Sequence, residues 1–331
     1  MIKGLVSIIT PCYNSASFVY RLLDSILDQD YQSIEMFAVD DGSTDDTQNC
    51  IKSYIKRFED RGFRLTYIYQ ENSGQSEAIN KGLKLMNGEF FIWPDSDDYF
   101  RTSKAISTMV NVLKQSGDEY GMARCRCQFV EEGSLREIGA GFNYTDSEEL
   151  FMPFLLGLEF RGGAGLYMVK VDAFDKAICG RDIYVNRVGQ NCQLLLPLFY
   201  FFKCVTIQVK LLNILVRKKS HSRFVKSYEG QLNDITGFIE VYTNTLSRIS
   251  CADEEKQRYA KIVKIEYAKG KAQLALHFGK YEDAKKFVEE IKELGGTISN
   301  NLRIKLFLSH FPIILKASIW LSGIIRTYLF C

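Results

Sequence analysis

Apolar runs and amphipathic stretches alternate through the first 120 residues of the chain. Leu5 to Thr10, Glu35 to Val39, Leu65 to Tyr69 and Phe90 to Trp93 are short, apolar runs that predict four strands. Between them, Phe18 to Leu27, Thr47 to Phe58 and Ser76 to Met86 carry apolar residues at helical spacing. In the last stretch Ala78, Ile79, Gly82, Leu83 and Met86 fall on one side. This alternation predicts an α/β fold with a mainly parallel central sheet flanked by helices. From Gly121 to Gly141 the pattern turns to short strands punctuated by glycine, and Gly162 to Val169 and Val205 to Val216 each predict a further strand. After about residue 224 the pattern is helical. The expected division is therefore a domain over 1–223, with halves 1–120 and 121–223, and a helical C-terminal region over 224–331. Tyr267 to Leu294 resembles one tetratricopeptide-like hairpin; a single copy does not support a solenoid, and an ordinary helix pair is the plainer reading.

The last 35 residues contain Arg303, Lys305, Lys316 and Arg326 and no Asp or Glu. Pro312 and Lys316 interrupt the apolar stretch from Phe311 to Ile325, so it falls short of the roughly 20 residues that a bilayer requires. A basic, acid-free amphipathic helix with a Trp suits a membrane interface, and residues 303–330 are one candidate contact. The same stripe suits burial against the protein itself, and both readings stand.

Composition narrows the function classes. The 331 residues are 46% hydrophobic and 25% charged, an ordinary globular balance, and a formal net charge of +2 gives no basic excess to drive nucleic-acid binding. Nine cysteines include no Cys-x-x-Cys pair, which speaks against zinc, and the run Leu5 to Ile9 is too short for a signal core. Reduced thiols in the cytoplasm, possible also at the inner membrane face, are the expectation.

The chemistry gathers where predicted strands end. Phe90 to Trp93 gives way to Pro94, Asp95, Ser96, Asp97 and Asp98. Ligands of open α/β sheets bind beyond the carboxyl ends of the strands. Carboxylates crowded there raise each other's pKa unless a hard cation such as Mg²⁺ or Mn²⁺ neutralises them. A turn with an Asp cap for the helix starting near Ser103 explains one carboxylate well and three poorly. Three other loops should meet this one: Thr10-Pro11-Cys12-Tyr13-Asn14, Asp40 to Asp45, and Gln70 to Gln75, which leads into the helix bearing Asn80. The first has no Gly-x-Gly-x-x-Gly, which disfavours a dinucleotide cofactor, but its Tyr can stack on a base. In the second, an Asp can accept hydrogen bonds from uracil or ribose while Ser43 or Thr44 caps the next helix.

Val6 to Asn14, Val39-Asp40-Asp41-Gly42-Ser43-Thr44-Asp45, Glu71-Asn72-Ser73-Gly74 and Asp95-Ser96-Asp97-Asp98, in this order and spacing, resemble family 2 glycosyltransferases. Four motifs in register over residues 5 to 100 carry the resemblance, and weaker likeness runs to about 223. It implies a GT-A fold, with a nucleotide-sugar-binding half (1–120) and an acceptor-binding half (121–223). It also implies inverting transfer from a nucleotide-diphosphate sugar, a uridine one by family likeness, to a glycan or lipid-linked acceptor in surface polysaccharide synthesis. By position, Pro11, Tyr13 and Asp41 would border the nucleoside and Asp40 would support it. Asp95 and Asp97 would form the DxD element that holds ribose and metal, with Asp97 the direct ligand. Thr10, Asn72, Gln75, Asn80 and Ser96 complete the expected donor-binding set. His221, within the basic stretch Arg217 to Arg223, would close over the diphosphate, although a solvated basic loop explains that stretch as well.

The chain departs from the family at one place. Where members carry a Glu-Asp pair at a helix start, with the Asp as base, this chain has Gly189-Gln190-Asn191-Cys192. An amide is no general base at neutral pH. Three explanations stand: Asp182, the closest carboxylate in sequence, is the base; Gln190 and Asn191 position the acceptor while another group takes the proton; or turnover is lost. The last would make the chain a sugar-nucleotide-binding or interaction protein. A sugar-phosphate nucleotidyltransferase would need a glycine-rich, cationic loop after the first strand, which Thr10 to Asn14 lacks. A homo-oligomer is left open.

Overall fold

The computed structural model describes residues 1–139, 141–142, 144, 147–158, 163–186, 189–217 and 227–308. The chain divides into two compact units, residues 1–152 with 159–218 and residues 153–158 with 219–331. The division falls a few residues before the change of pattern near 224. No sequence pattern marked 153–158 as part of the second unit, where the Phe154 ring lies 6.3 Å from that of Tyr242.

The first unit is built on one sheet. Strands β1 (Ile2–Cys12), β2 (Ile34–Asp41), β3 (Arg64–Gln70) and β4 (Gly88–Ile92) are the four expected from the apolar runs. They are parallel, with Val6 opposite Ile34, Ala38 opposite Tyr67 and Ile8 opposite Ile92. All eight residues of β2 are buried, as befits an inner strand of a parallel sheet covered on both faces. The crossovers are α1 (Val19–Leu27), then α2 (Thr47–Ser53) with α3 (Ile55–Asp60), then α4 (Gln75–Leu85). The stretch expected as one helix over Thr47 to Phe58 is interrupted only at Tyr54, which keeps helical angles.

Beyond β4 the sheet becomes mixed. After β5 (Tyr99–Phe100) and α5 (Ala105–Gln115) come β6 (Tyr120–Glu131), β7 (Glu137–Ile138), α6 (Phe151–Leu155), β8 (Tyr167–Lys170), α7 (Val171–Ala177), α8 (Gln190–Phe201) and β9 (Lys203–Val216). The order across the sheet is β3-β2-β1-β4-β8-β6-β9-β5, with β7 paired to β6. Strand β8 runs antiparallel to both β4 and β6, whereas β9 is parallel to β6. The short strands expected between Gly121 and Gly141 are instead one continuous strand of 12 residues and a two-residue return, because Cys125 and Cys127 alternate into the core without a break.

Helix α4 sits close on the sheet because Gly82 faces Ile9: a Cβ placed on Gly82 would lie 2.3 Å from Ile9 Cγ2. At the opposite edge from the strand-end loops, buried Glu35 accepts from the Ser7 hydroxyl at 2.7 Å and from the Asn87 amide at 2.6 Å, which explains an acid inside a core strand.

The second unit is helical among its described residues: α9 (Tyr228–Arg248), α10 (Asp253–His277), α11 (Tyr281–Glu293) and α12 (Asn300–Leu308). Helix α9 starts under a Ser227 cap whose hydroxyl accepts from the Gly230 amide at 3.1 Å. Helices α10 and α11 form the expected hairpin, turning at Gly279 with φ +69° and burying Ala268, Ala272 and Ala275 on one side and Ala284, Val288 and Ile291 on the other. No described helix is long and apolar enough to cross a membrane. Most of the amphipathic terminal stretch lies outside the described residues.

Replacing Gly82 with Val should lower the unfolding free energy by about 1–3 kcal/mol in urea titration, because the side chain must displace Ile9, although Val is the better helix former. An unchanged midpoint and slope would contradict this packing.

Candidate active site

Parallel pairing brings the ends of β1, β2, β3 and β4 to one edge, and side chains then fasten their loops together. The Asn14 amide donates to Ser43 Oγ at 2.9 Å, and the Thr44 amide donates to Asn14 Oδ1 at 2.9 Å. The Ser15 amide donates to Thr47 Oγ1 at 2.7 Å. Ser43 and Thr44 therefore join the first loop to the second and do not cap the next helix. At that helix start the carboxylate of Asp45 accepts from the Thr47 amide at 3.0 Å.

Asp40 and Asp41 are almost fully buried and build the same edge. Asp40 accepts from the Ser43 amide at 2.9 Å and the Tyr67 hydroxyl at 2.7 Å. Asp41 accepts from Gln70 Nε2 at 2.6 Å and from the amides of Ser73 and Gly74 at 2.8 and 2.9 Å, so it fixes the third loop. Gly42, at φ +76°, lets the second loop touch the third: a Cβ there would be 2.7 Å from the Asn72 backbone nitrogen.

The fourth loop holds the acidic cluster. Carboxylate oxygens of Asp95, Asp97 and Asp98 lie within 4.8 Å of one another. Ser96 Oγ is 2.9 Å from Ser15 Oγ, which ties this loop to the first. Gln75 Nε2 donates to Asp95 Oδ1 at 2.9 Å, Arg217 Nε donates to Asp97 Oδ2 at 2.7 Å, and the Leu215 amide donates to Asp98 Oδ1 at 3.2 Å. Burial, and then the Asp97 charge, push the Asp95 carboxyl up to about 7, against the pull of Gln75 and Arg217. Burial and the neighbouring Asp97 and Asp95 charges push Asp98 well above the usual carboxylate range. Among the described residues one guanidinium, that of Arg217, meets the cluster. Three neighbouring carboxyl groups that offer hard oxygen donors alone fit Mg²⁺ or Mn²⁺, whose charge would favour their ionised forms. Asp95 and Asp97 are partly exposed, whereas Asp98 is buried and bonded to the β9 backbone.

The amide pair of the second half reaches this cluster. Gln190 Nε2 donates to Gln75 Oε1 at 2.7 Å, so a relay runs Gln190–Gln75–Asp95. Asn191 Oδ1 accepts from the buried Trp93 indole at 2.8 Å. Amide orientations here follow from the donors and acceptors that surround them. The first two residues of α8 are thus bonded to residues at and beside the carboxyl end of β4.

Three of the expected site residues are placed elsewhere. Asp182 belongs to a segment running antiparallel along α4, with Arg181 bonded to the Met86 carbonyl, Ile183 to Asn80, and Asn186 to Ser76. Asp182 is held between the levels of Asn80 and Met86, which are about 7.5 and 16 Å along the helix from Gln75 at 1.5 Å per residue. The residues on either side of Asp182 are thus bonded along α4 and not to the acidic cluster. Asn80 is buried and gives its whole amide to Ile183, donating to the carbonyl at 2.9 Å and accepting from the amide at 2.8 Å. Thr10 is fully buried, and its hydroxyl has no hydrogen-bond partner among the described residues. Pro11 is buried in β1 opposite Val39, whereas Tyr13 and Asn72 are exposed. His221 lies outside the described residues.

Trp93, Ser15 and Leu215 were not legible as site residues in the sequence. The signal for Trp93 is its position two residues before Asp95; Ser15 and the Leu215 backbone carry none.

These features describe an α/β protein with a cluster of three carboxyl groups at the carboxyl edge of a mainly parallel sheet. A family model described as "Glycosyl transferase family 2" matches residues 7–173, just over half of the 331 residues. The chain belongs to glycosyltransferase family 2. It is 36% identical over 130 residues to an uncharacterized glycosyltransferase of Rickettsia typhi, covering 39% of this chain and 38% of that protein. It is 36% identical over 115 residues to TuaG of Bacillus subtilis, whose name assigns it to teichuronic acid biosynthesis, covering 34% and 44% of the two chains. The chain spans less than half the length of these relatives. The fold is that of S. aureus TarS 1–349 in complex with UDP-GlcNAc, with TM-score 0.65, 16% identity and coverage of 96% and 92%. It is also that of the mannosyltransferase PcManGT of Pyrobaculum calidifontis in complex with GDP-Man and Mn²⁺, with TM-score 0.56, 14% identity and coverage of 96% and 87%. The GT-A architecture implied by the motifs is the architecture found.

Changing Asn191 to Leu leaves the buried Trp93 indole without its acceptor and should cost about 1–3 kcal/mol in denaturant unfolding. A change below about 0.5 kcal/mol, the range of ordinary surface substitutions, would contradict the placement of this bond.

Proposed function

We propose that the chain transfers a sugar from a nucleotide-diphosphate sugar, in the first instance a uridine one, to a glycan or lipid-linked acceptor, with inversion at the anomeric carbon and with Mg²⁺ or Mn²⁺. The observation that carries this reading is the carboxylate cluster of Asp95, Asp97 and Asp98 at the end of β4, to which loops from β1 and β3 are hydrogen-bonded. A bound divalent ion supplies Lewis-acid stabilisation of the charge that develops on a departing diphosphate. Exposed Tyr13 offers a face to the base, and Asp40 and Asp41 hold the loops that would surround the nucleoside.

Gln190 and Asn191 position the acceptor in this reading, each held by one hydrogen bond at the cluster's edge. The proton of the attacking hydroxyl passes to a group other than these amides. Relatives named for glycosyl transfer and teichuronic acid biosynthesis support a place in surface polysaccharide synthesis. In this reading residues 1–152 with 159–218 form the transferase unit, and 219–331, with the short segment 153–158, a helical appendage. Its basic end, residues 303–330, holds the enzyme at the inner face of the cell membrane, where lipid-linked acceptors lie; Ile304 and Phe307 in α12 are exposed.

Nucleotide release from a panel of sugar nucleotides, with acceptor extract, Mn²⁺ or chelator, tests the activity. Release should require the metal, and Asp97→Ala should lower it at least about 100-fold, since a metal contributes several kcal/mol and each 1.36 kcal/mol is tenfold in rate. Ordinary turnover by Asp97→Ala would sink the metal assignment, and donor binding without release under all conditions would favour a binding protein. For the membrane contact, the full chain should co-sediment with anionic vesicles and a chain ending at residue 308 should not; equal behaviour of the two would contradict it.

A further inference from the structure

Arg217 is bonded to Asp97 through one nitrogen only. Its Nε lies 2.7 Å from Asp97 Oδ2, and the two side chains are 23% and 18% exposed. Among the described residues the terminal nitrogens of the guanidinium have no hydrogen-bond partner, so most of a fork suited to paired oxygens is unused. The guanidinium carbon sits 4.3 Å from the centroid of the Phe18 ring. Phe18 is buried with Val130 and Leu215, and Tyr99 packs against the three. Two residues before Arg217, the Leu215 amide donates to Asp98 at 3.2 Å. The end of β9 is therefore fastened to the cluster at two neighbouring points, one through a backbone amide that cannot leave its strand and one through a long side chain that can.

A cation entering between Asp95 and Asp97 must use the carboxylate that Arg217 occupies. It would also place a second positive charge beside the guanidinium, which weakens the existing pair. A diphosphate arriving with the cation reverses that balance, because its oxygens present the paired acceptor geometry that the free terminal nitrogens fit.

We propose that Arg217 is an exchanging counter-ion: it neutralises Asp97 while the site is empty and moves to the diphosphate oxygens when cation and nucleotide are both bound. This rests on the reading of the cluster as the metal and diphosphate site. Arg217 then opposes the metal alone and supports the metal with nucleotide, so the two ligands bind cooperatively and Arg217 is the origin of the coupling. Reciprocity requires each ligand to raise the affinity for the other by the same factor.

The test uses the full chain and two titrations, read by the electron paramagnetic resonance of free Mn²⁺ and by calorimetry. In Arg217→Gln, Mn²⁺ without nucleotide should bind about tenfold tighter than in wild type, and UDP at saturating Mn²⁺ about tenfold weaker, within the 5–150-fold range of ordinary coupling. Arg217→Lys, which keeps the charge and loses the fork, should fall between wild type and Gln in both titrations and guards against misfolding of the Gln variant. Equal or weaker Mn²⁺ binding by nucleotide-free Arg217→Gln, with wild type binding both ligands, would overturn the exchange and leave the proposed function standing. Failure of wild type to bind Mn²⁺ or UDP at all would remove the proposed function, and this inference with it.

Discussion

The burial of carboxyl groups beside one another at Asp95, Asp97 and Asp98 is the constraint on which the site depends. Burial first, and then the neighbouring charges, raise the Asp95 and Asp98 carboxyls, so holding the three groups within 4.8 Å carries a cost. Folding must supply it from elsewhere. The sheet does so: Phe90, Phe91, Ile92 and Trp93 are buried, and β4 is paired on both sides, so the strand holds its charged end in place. The outcome is a loop poised for cation binding, because a divalent ion removes the repulsion that the fold sustains.

The rest of the edge keeps that loop in position. Ser96 meets Ser15, Ser15 meets Thr47, Asn14 meets Ser43, and Asp41 gathers the third loop. These are mostly short polar side chains bonded to backbone groups, with little freedom to lose, so the four loops behave as one piece. From the other half of the sheet, Gln190 and Asn191 reach the same piece through Gln75 and Trp93. The motifs that mark the family are, in this chain, largely the bonds that join the loops to one another.

Much of this was legible from the sequence, and the reasons are physical. Strands β1 to β4 and helices α1 and α4 have strong periodicity and sharp ends, so the parallel half of the fold and the meeting of its four loops followed directly. The acidic cluster was visible because carboxylates rarely follow an apolar run without a purpose. Strand β6 was misread as several short strands because pairing with β8 and β9 over its length, a non-local effect, overrides glycine punctuation. Asp182 drew attention by its nearness in sequence, which says nothing of the course along α4 that its neighbours follow. Asp41 was read as bordering the nucleoside and Asp40 as supporting it, and the hydrogen bonds of both run to the loops they hold. Pairings such as Trp93 with Asn191 span 98 residues and leave no local trace.

The account stands on cation binding at Asp95 and Asp97. Anomalous scattering at the manganese edge, from crystals of the full chain grown with Mn²⁺ and UDP, addresses it most directly. The expected result is a peak at direct coordinating distance, about 2.0–2.6 Å, from carboxylate oxygens of Asp95 or Asp97. A well-ordered nucleotide with no peak at these carboxylates, or with manganese bound elsewhere, would contradict it.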